Sequence, residues 1–306
     1  MKKLSVIILT AMIAMGAQAQ VKVAPKMQKG AKVTYKSTTM MAMPGVQEPI
    51  TMTSFIDYTI VDETADGYLL ESTIRDFTAN VKEDDIIGNL ITAGQQLTEG
   101  QQVKYNLNKQ GQVVSVANYD EVKARAEKAV DVMVSKLEQK LPMITRMMSV
   151  EQMKQQFSEA FSEEMLVKSV KTMPNVLSLN GRTIMTGAQD EYVGEQDMKM
   201  KRMYLLTSTD GKKIRTSSTL NMSKDELKAM VIKQLEESMP DQVEAMKQNI
   251  DAMMDSGMLK MDITETADYT LRDDQWVQTL TIESKSDAMG QQTTATSTIE
   301  YVSSNF

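Results

Sequence analysis

Apolar and polar residues alternate with a period of two over much of the chain. Ile50, Met52, Ile56, Tyr58 and Ile60 share one face of a strand, and Thr51, Thr53, Asp57 and Thr59 share the other. The alternation recurs at Tyr68, Leu70 and Ile74 beyond the turn residues Ala65-Asp66-Gly67, and at Val103, Tyr105 and Leu107. Val114 and Val116 repeat it beyond Gln110-Gly111, as do Trp276, Gln278, Leu280 and Ile282, then Ile299 and Tyr301. Half-buried antiparallel strands joined by short turns account for the pattern.

Two stretches change to helical spacing. Val122, Ala126, Val130, Met133, Leu137 and Leu141 recur every three or four residues. Ser149 with Gln152 reads as a capping box opening a second helix, with Met153, Phe157, Phe161 and Met165 along it. Later, Ser223 with Glu226 opens a helix lined by Leu227, Met230, Val231 and Leu235. Pro240 starts another with Val243, Met246, Ile250 and Met253, and Gly257 is placed to end it. The expectation is two amphipathic helical hairpins.

The two regions can be aligned. Tyr105, Gly111, Asp120-Glu121-Val122 and Leu137 to Pro142 match Tyr204, Gly211, Asp225-Glu226-Leu227 and Leu235 to Pro240. Asp57-Tyr58-Thr59-Ile60 likewise echoes Asp268-Tyr269-Thr270-Leu271. This order suggests an internal duplication, with pseudo-repeats at about 30–173 and 182–306. No Pro/Gly/Ser-rich linker divides them, and Pro174 to Gly187 reads as a return from helix to strand. The expected fold is α+β: one domain over 20–306, an antiparallel curved or partly closed sheet with both hairpins packed on one face.

The first residues read differently. Lys2 and Lys3 precede an apolar run from Leu4 to Met15, and Ala17-Gln18-Ala19 offers the small side chains of a cleavage site. Residues 1–19 are expected to be a signal peptide, leaving Gln20 as the mature N-terminus and Val21 to Lys29 as a loose leader. The run falls short of the roughly 20 apolar residues of a membrane span, and no later stretch approaches one. Export to the periplasm is the expectation, with the cell surface or medium as further destinations.

Composition closes several chemistries. Neither Cys nor His occurs, which removes disulfides, thiolate nucleophiles, His-based triads and the usual zinc ligands. The chain has 34 basic and 41 acidic residues, a net charge of −7 that falls to −9 if Lys2 and Lys3 leave with the signal peptide. Such a balance argues against nucleic-acid binding. Gly-x-Gly, Ser-x-x-Lys and Gly-x-Ser-x-Gly are all missing. Carboxylate clusters at Glu83-Asp84-Asp85, Asp190-Glu191 and Asp273-Asp274 fall in stretches that read as polar turns. Neither an enzyme nor a cofactor is expected.

Methionine is the remaining signal, with 28 residues against one Trp, nine Tyr and five Phe. Met198, Met200 and Met203 have a thioether spacing used for Cu(I), but a strand would turn Met203 away from the other two. No metal site is expected. Many Met occupy apolar helical positions, where an adaptable thioether suits either a core or a deformable apolar groove. Met133, Phe157, Phe161, Met165, Met230, Met246 and Met253 are the residues expected to border such a groove between helix and sheet. Its partner would be a lipid or other apolar ligand, or an apolar segment of an envelope protein. The competing reading is a structural or interaction protein of the envelope without a small-molecule ligand.

Lys29-Gly30-Ala31-Lys32-Val33-Thr34-Tyr35, the Asp57 to Ile60 strand and Gly67-Tyr68-Leu69-Leu70 resemble uncharacterised secreted β-rich proteins of Gram-negative bacteria. In architecture alone the chain resembles the LolA-like periplasmic lipoprotein carriers. That resemblance implies an open β-barrel with helices plugging an apolar cavity. The doubled strand–helix pattern departs from that group, and no binding residue carries over.

Overall fold

Strict alternation over long stretches produces long strands. The computed structural model describes residues 20–44, 46, 48–81, 88, 91, 94, 99–140, 150–194, 198–238, 247, 249, 250, 252–254, 256, 261–288 and 291–305. The described elements begin with β1 (Gln20–Lys22), β2 (Lys32–Ala42), β3 (Ile50–Glu63), β4 (Gly67–Ala79), β5 (Gln102–Asn108) and β6 (Val113–Val116). Next come α1 (Tyr119–Lys140), α2 (Val150–Ala160) and α3 (Glu163–Thr172), then β7 (Thr183–Met185) and β8 (Gln189–Val193). They are followed by β9 (Lys199–Leu206), β10 (Lys213–Leu220) and α4 (Lys224–Ser238). Finally β11 (Met261–Leu271), β12 (Val277–Ala288) and β13 (Gln291–Ser304) complete the described elements.

Eleven strands make one antiparallel sheet in the order β6-β5-β4-β3-β2-β13-β12-β11-β10-β9-β8, while β1 and β7 form a separate ribbon. The sheet is mostly antiparallel β structure with helices added, and it is not closed, since β6 and β8 are its two ends. Its inner face carries Tyr35, Tyr58, Leu70, Tyr105, Ile214, Tyr269 and Leu280, all in one core cluster.

The cluster also takes in Val176, Leu177 and Leu179. Every residue from Val176 to Asn180 is buried, so the segment read as a simple return is a plug. Asn180 Nδ2 donates to Gly111 O at 3.2 Å in the β5–β6 turn, and Ser178 Oγ lies 3.1 Å from the Tyr269 hydroxyl. Just beyond, Arg182 Nη1 reaches Asp190 Oδ2 at 2.8 Å and the Tyr204 hydroxyl at 2.9 Å. The plug thereby bridges the two ends of the sheet.

Residues 21–29 correct the expected loose leader. Val23 is 2% exposed; its N–H donates to Arg182 O at 2.9 Å, and its carbonyl accepts from Gly181 at 2.7 Å. Lys26 N donates to Asp274 O at 2.9 Å, and the indole Nε1 of Trp276 donates to Lys26 O at 2.8 Å. Val21 packs against Gly211 and Met27 against Gly111. The segment straps together three hairpin turns, and backbone hydrogen bonds hold it where side-chain burial is modest.

Two further readings change. The helix read through Phe161 and Met165 is broken: α2 ends at Ala160, and Ser162 stands extended (φ −62°, ψ 151°) with its side chain accepting from Met165 N to cap α3. Val116 of β6 faces inward as read, but its inward companion is Val113, while Val114 is 56% exposed. A bulge between Asn106 and Leu107 inserts a residue and shifts the alternation.

α1 buries Val122, Ala126, Val130, Met133 and Val134 and packs on α2 and β5. α3 covers β6, where Glu163 Oε1 accepts from Val116 N at 2.9 Å, occupying an N–H of a terminal strand. The capping box at α4 is present: Glu226 N donates to Ser223 Oγ at 3.2 Å, and Ser223 N donates to Glu226 Oε2 at 2.9 Å. Leu141, Pro142, Ser149, Pro240, Met246 and Gly257 lie outside the described residues, as do Glu83, Asp84 and Asp85.

Candidate functional site

Along each long strand the inner face changes character. At one end Tyr35, Tyr269 and Leu280 are fully buried. Towards the other end the same face continues as Ser37, Thr39 and Met41 on β2, Ser297 and Ala295 on β13, and Ile282, Ser284 and Ser286 on β12. Ser54 and Met52 on β3 and Glu265, Ile263 and Met261 on β11 extend it, and all of these side chains are half-buried. The inner surface here mixes thioether, aliphatic and hydroxyl groups. Thr39 Oγ1 and Ser297 Oγ meet at 2.8 Å.

Strand register sets a polar row across this face. Asp190, Arg202, Ser218, Glu265 and Ser284 are successive cross-strand partners on β8, β9, β10, β11 and β12, and Ala295, Met41 and Ile50 continue the row. Arg202 is 1% exposed. Its guanidinium lies 4.2 Å above the Tyr192 ring, and Nη2 donates to Thr172 O at 2.7 Å, at the C-terminus of α3. That contact suits the partial negative charge of a helix end. Nε stands 3.6 Å from Asp190 Oδ1, and Asp190 Oδ2 accepts from Arg182 and Tyr204.

Asp190 therefore belongs to a strand and an ion network, a correction to its reading as a loop acid. Burial raises the Tyr204 hydroxyl to about 12, although Arg202 and Arg182 pull it down. Four side-chain atoms of this row, Asp190 Oδ1, Arg202 Nε, Ser218 Oγ and Glu265 Oε1, are buried without a hydrogen-bond partner. Burial pushes the Glu265 carboxyl above the ordinary range, against the pull of Arg202.

The residues expected to line a methionine groove are dispersed. Met133 is buried on α1 and Met230 on α4; Met165 on α3 and Met253 in a helical segment are half-buried. The side chain of Phe157, on α2, and the whole of Met246 lie outside the described residues. Phe161 borders a cleft of about 290 Å³ between α1 and α2, with Ala126 and Val130 beside it and Lys123, Glu127, Asp131 and Lys154 around it. Asp131 and Lys154 pair at 2.7 Å there. Elsewhere Met200 is buried and Met203 is 46% exposed, on opposite faces of β9.

Nothing in composition marks Arg202, Ser218 and Glu265 as a group. Only the pairing register aligns them; the one available signal was their shared inward parity on neighbouring strands.

No family model and no curated protein matches the chain. Among solved structures, lipovitellin, studied for its lipid–protein interactions, aligns over 92% of this chain at 8% identity and a TM-score of 0.39. The chain spans 26%, about a quarter, of that protein's length. A porin-like protein from Bacteroides uniformis aligns over 87% of this chain and 96% of its own, at 10% identity and a TM-score of 0.19. Similarity at this level carries no functional argument. Among the described residues no helix is long and apolar enough to cross a membrane, and no group of three or more acidic side chains is gathered to hold a metal.

Proposed function

We propose that this is an exported, non-enzymatic binding protein of the cell envelope, placed most naturally in the periplasm. Its ligand is a hydrophobic molecule or an apolar protein segment, held on the inner face of the sheet. Two helical hairpins from a duplicated ancestor cover that face in this reading.

The observation that carries the reading is a half-buried stretch along the inner face of the strands. A 14-residue strand such as β3 runs for about 45 Å, and its inner residues pass from Ile60 and Tyr58, buried, through Ile56, Ser54 and Met52, half-buried, to Ile50, buried again. Met41, Met52 and Ile263 are half-buried apolar side chains outside the buried core cluster. Methionine suits a surface that must repack around variable apolar shapes.

The test is the cargo. Protein exported from a Gram-negative host is expected to carry an extractable apolar compound or peptide, detected by native mass spectrometry. Stripped protein is expected to bind an apolar fluorophore saturably. Clean protein with no saturable binding would refute the reading and favour an envelope scaffold.

A further inference from the structure

We propose that Gln20, once cleavage makes it the first residue, closes on its own side chain to a pyroglutamyl lactam, and that the lactam protects the strap. The proposal rests on the exported reading above and adds a covalent modification to it. The step is internal to one residue, so the attack needs no encounter. The α-amine attacks the side-chain amide carbon; the N–Cδ bond forms, the Cδ–Nε2 bond breaks, and Nε2 leaves as ammonia with a proton from the amine. No oxidant or further reactant is consumed, and the terminal positive charge is lost.

Three features leave Gln20 open to this step. Its side chain is exposed and makes no hydrogen bond among the described residues. Its backbone nitrogen is not needed by the ribbon. Gln20 lies opposite Met185, in register with the Val21–Ile184 and Lys22–Thr183 pairs, and hydrogen-bonded and open pairs alternate along such a ladder. Val23 N bonds Arg182 O, one step further in that register, whereas Ala24 N and Lys26 N turn to Gln275 Oε1 and Asp274 O in the β11–β12 turn. Even-numbered residues of the strap therefore turn their nitrogens away from β7, and Gln20 loses no ladder bond when its amine enters a ring. Finally, the ring constrains the backbone as proline does, and proline is accommodated at the first position of a strand.

The structure gives the lactam something to protect. β1 starts at Gln20, so the mature chain has no overhang before its first paired residue. Val21 packs against Gly211, Val23 enters the core cluster, and Lys26 O accepts from the indole of Trp276. Only Val23 is buried among residues 20–29, and segments with so few buried contacts open locally while the rest stays folded. An exopeptidase that removes residues singly from an open amine would strip β1 and then reach Val23. A lactam offers it no α-amine.

The experiment is an intact-mass measurement on the mature chain, exported from a Gram-negative host and held folded at neutral pH for some days. The mass is expected to lie one ammonia below that of residues 20–306, with Edman degradation blocked. Gln20→Ala, a change at an exposed position, should leave an open N-terminus. That variant should lose the residues of β1 to an added broad aminopeptidase that leaves the parent chain whole. Trp276, the single tryptophan, should then report the loosened strap as a shift in its emission. A mass equal to that of residues 20–306, with Gln read in the first Edman cycle, overturns the lactam. Equal resistance of variant and parent overturns its protective role. A chain that begins at any other residue overturns the cleavage on which both rest.

Discussion

Strands β2 and β3 and strands β10 and β11 pair in one common register. Val33 faces Tyr58 as Ile214 faces Tyr269; Thr34 faces Asp57 as Arg215 faces Asp268; Lys32 faces Thr59 as Lys213 faces Thr270. Each first strand follows a glycine in the left-handed region, Gly30 (φ 85°) and Gly211 (φ 72°). The inner pairs are buried in both arms. Outside, the arms part. Asp57 is 8% exposed and held by Thr34 at 2.7 Å, Lys32 at 2.8 Å and Arg75 at 3.0 Å. Asp268 has Arg215 at 2.7 Å, with both side chains nearly half exposed. On the inner face, Ser37 and Ser54 in the first arm stand where the second has Ser218 and Glu265. One backbone plan thus carries a buried aspartate held by three partners on one arm and an unpartnered buried carboxylate oxygen on the other.

The largest effects should be shared by the two arms. Ile214→Ala and Val33→Ala each empty a fully enclosed site, and urea denaturation should show losses of about 3 and about 2 kcal/mol. A loss confined to one arm would mean that the register match has no energetic counterpart.

Next in size, and specific to the first arm, is Asp57→Ala. It removes the partner of Lys32, leaves Arg75 with Asp76 alone and frees the Thr34 hydroxyl, and should cost about 2 kcal/mol. Burial alone would push the Asp57 carboxyl up, but hydrogen bonds from Arg75, Lys32 and Thr34 outweigh it and hold it at about 2. A depressed folded value stabilises the protein above the ordinary 3.8 and ceases to do so as pH falls through about 2. The acid limb of a stability–pH profile should therefore flatten in Asp57→Asn.

Glu265 should behave with the opposite sign. Its raised carboxyl favours the folded state at low pH, and that contribution is lost as pH rises above the ordinary value of 4.5. Glu265→Gln should raise the midpoint at pH 7 and leave it unchanged at pH 4. A midpoint lowered at pH 7 would show that the ionised carboxylate is an asset. Smallest of all, Asp268→Ala should leave stability nearly unchanged, since the Arg215 pair is exposed. A loss as large as that of Asp57→Ala would erase the contrast between the arms.

Much of the sheet was legible because alternation and burial share one cause. Ile56, Tyr58 and Ile60, or Leu280 and Ile282, announce a strand and its inward face together. The plug was not legible: Val176 to Asn180 are buried in succession, and a run without a period mimics a connection between elements. The strap escaped notice because its hold on Gly181, Arg182 and Asp274 runs through backbone atoms. Val114 and Val113 exchanged roles at a bulge, which composition does not mark. Adjacent acids made Asp190 look like a turn, when cross-strand Arg202 gives it a place in a strand. The methionine positions did read as apolar, and Met133 and Met230 are buried. The polar row that crosses the inner face depends on cross-strand pairing, such as that of Ser218 with Glu265, beyond the reach of local spacing.

The pairing of β2 with β13 joins the first long strand to the last, at the middle of the sheet. On either side, neighbours in space follow in chain order: β2 to β6 one way, β13 back to β8 the other. Each half can zip up hairpin by hairpin from local contacts, but the seam between them closes a loop of some 260 residues, such as Tyr35 to Tyr301. Seams of that span form slowly, because chain entropy is lost before the contacts form. The molecule is therefore expected to fold as two early half-sheets and one late union. Until β13 arrives, β2 remains an open edge, and a chain cut short before Gln291 would keep that edge for good, with the aggregation hazard that an unpaired strand carries.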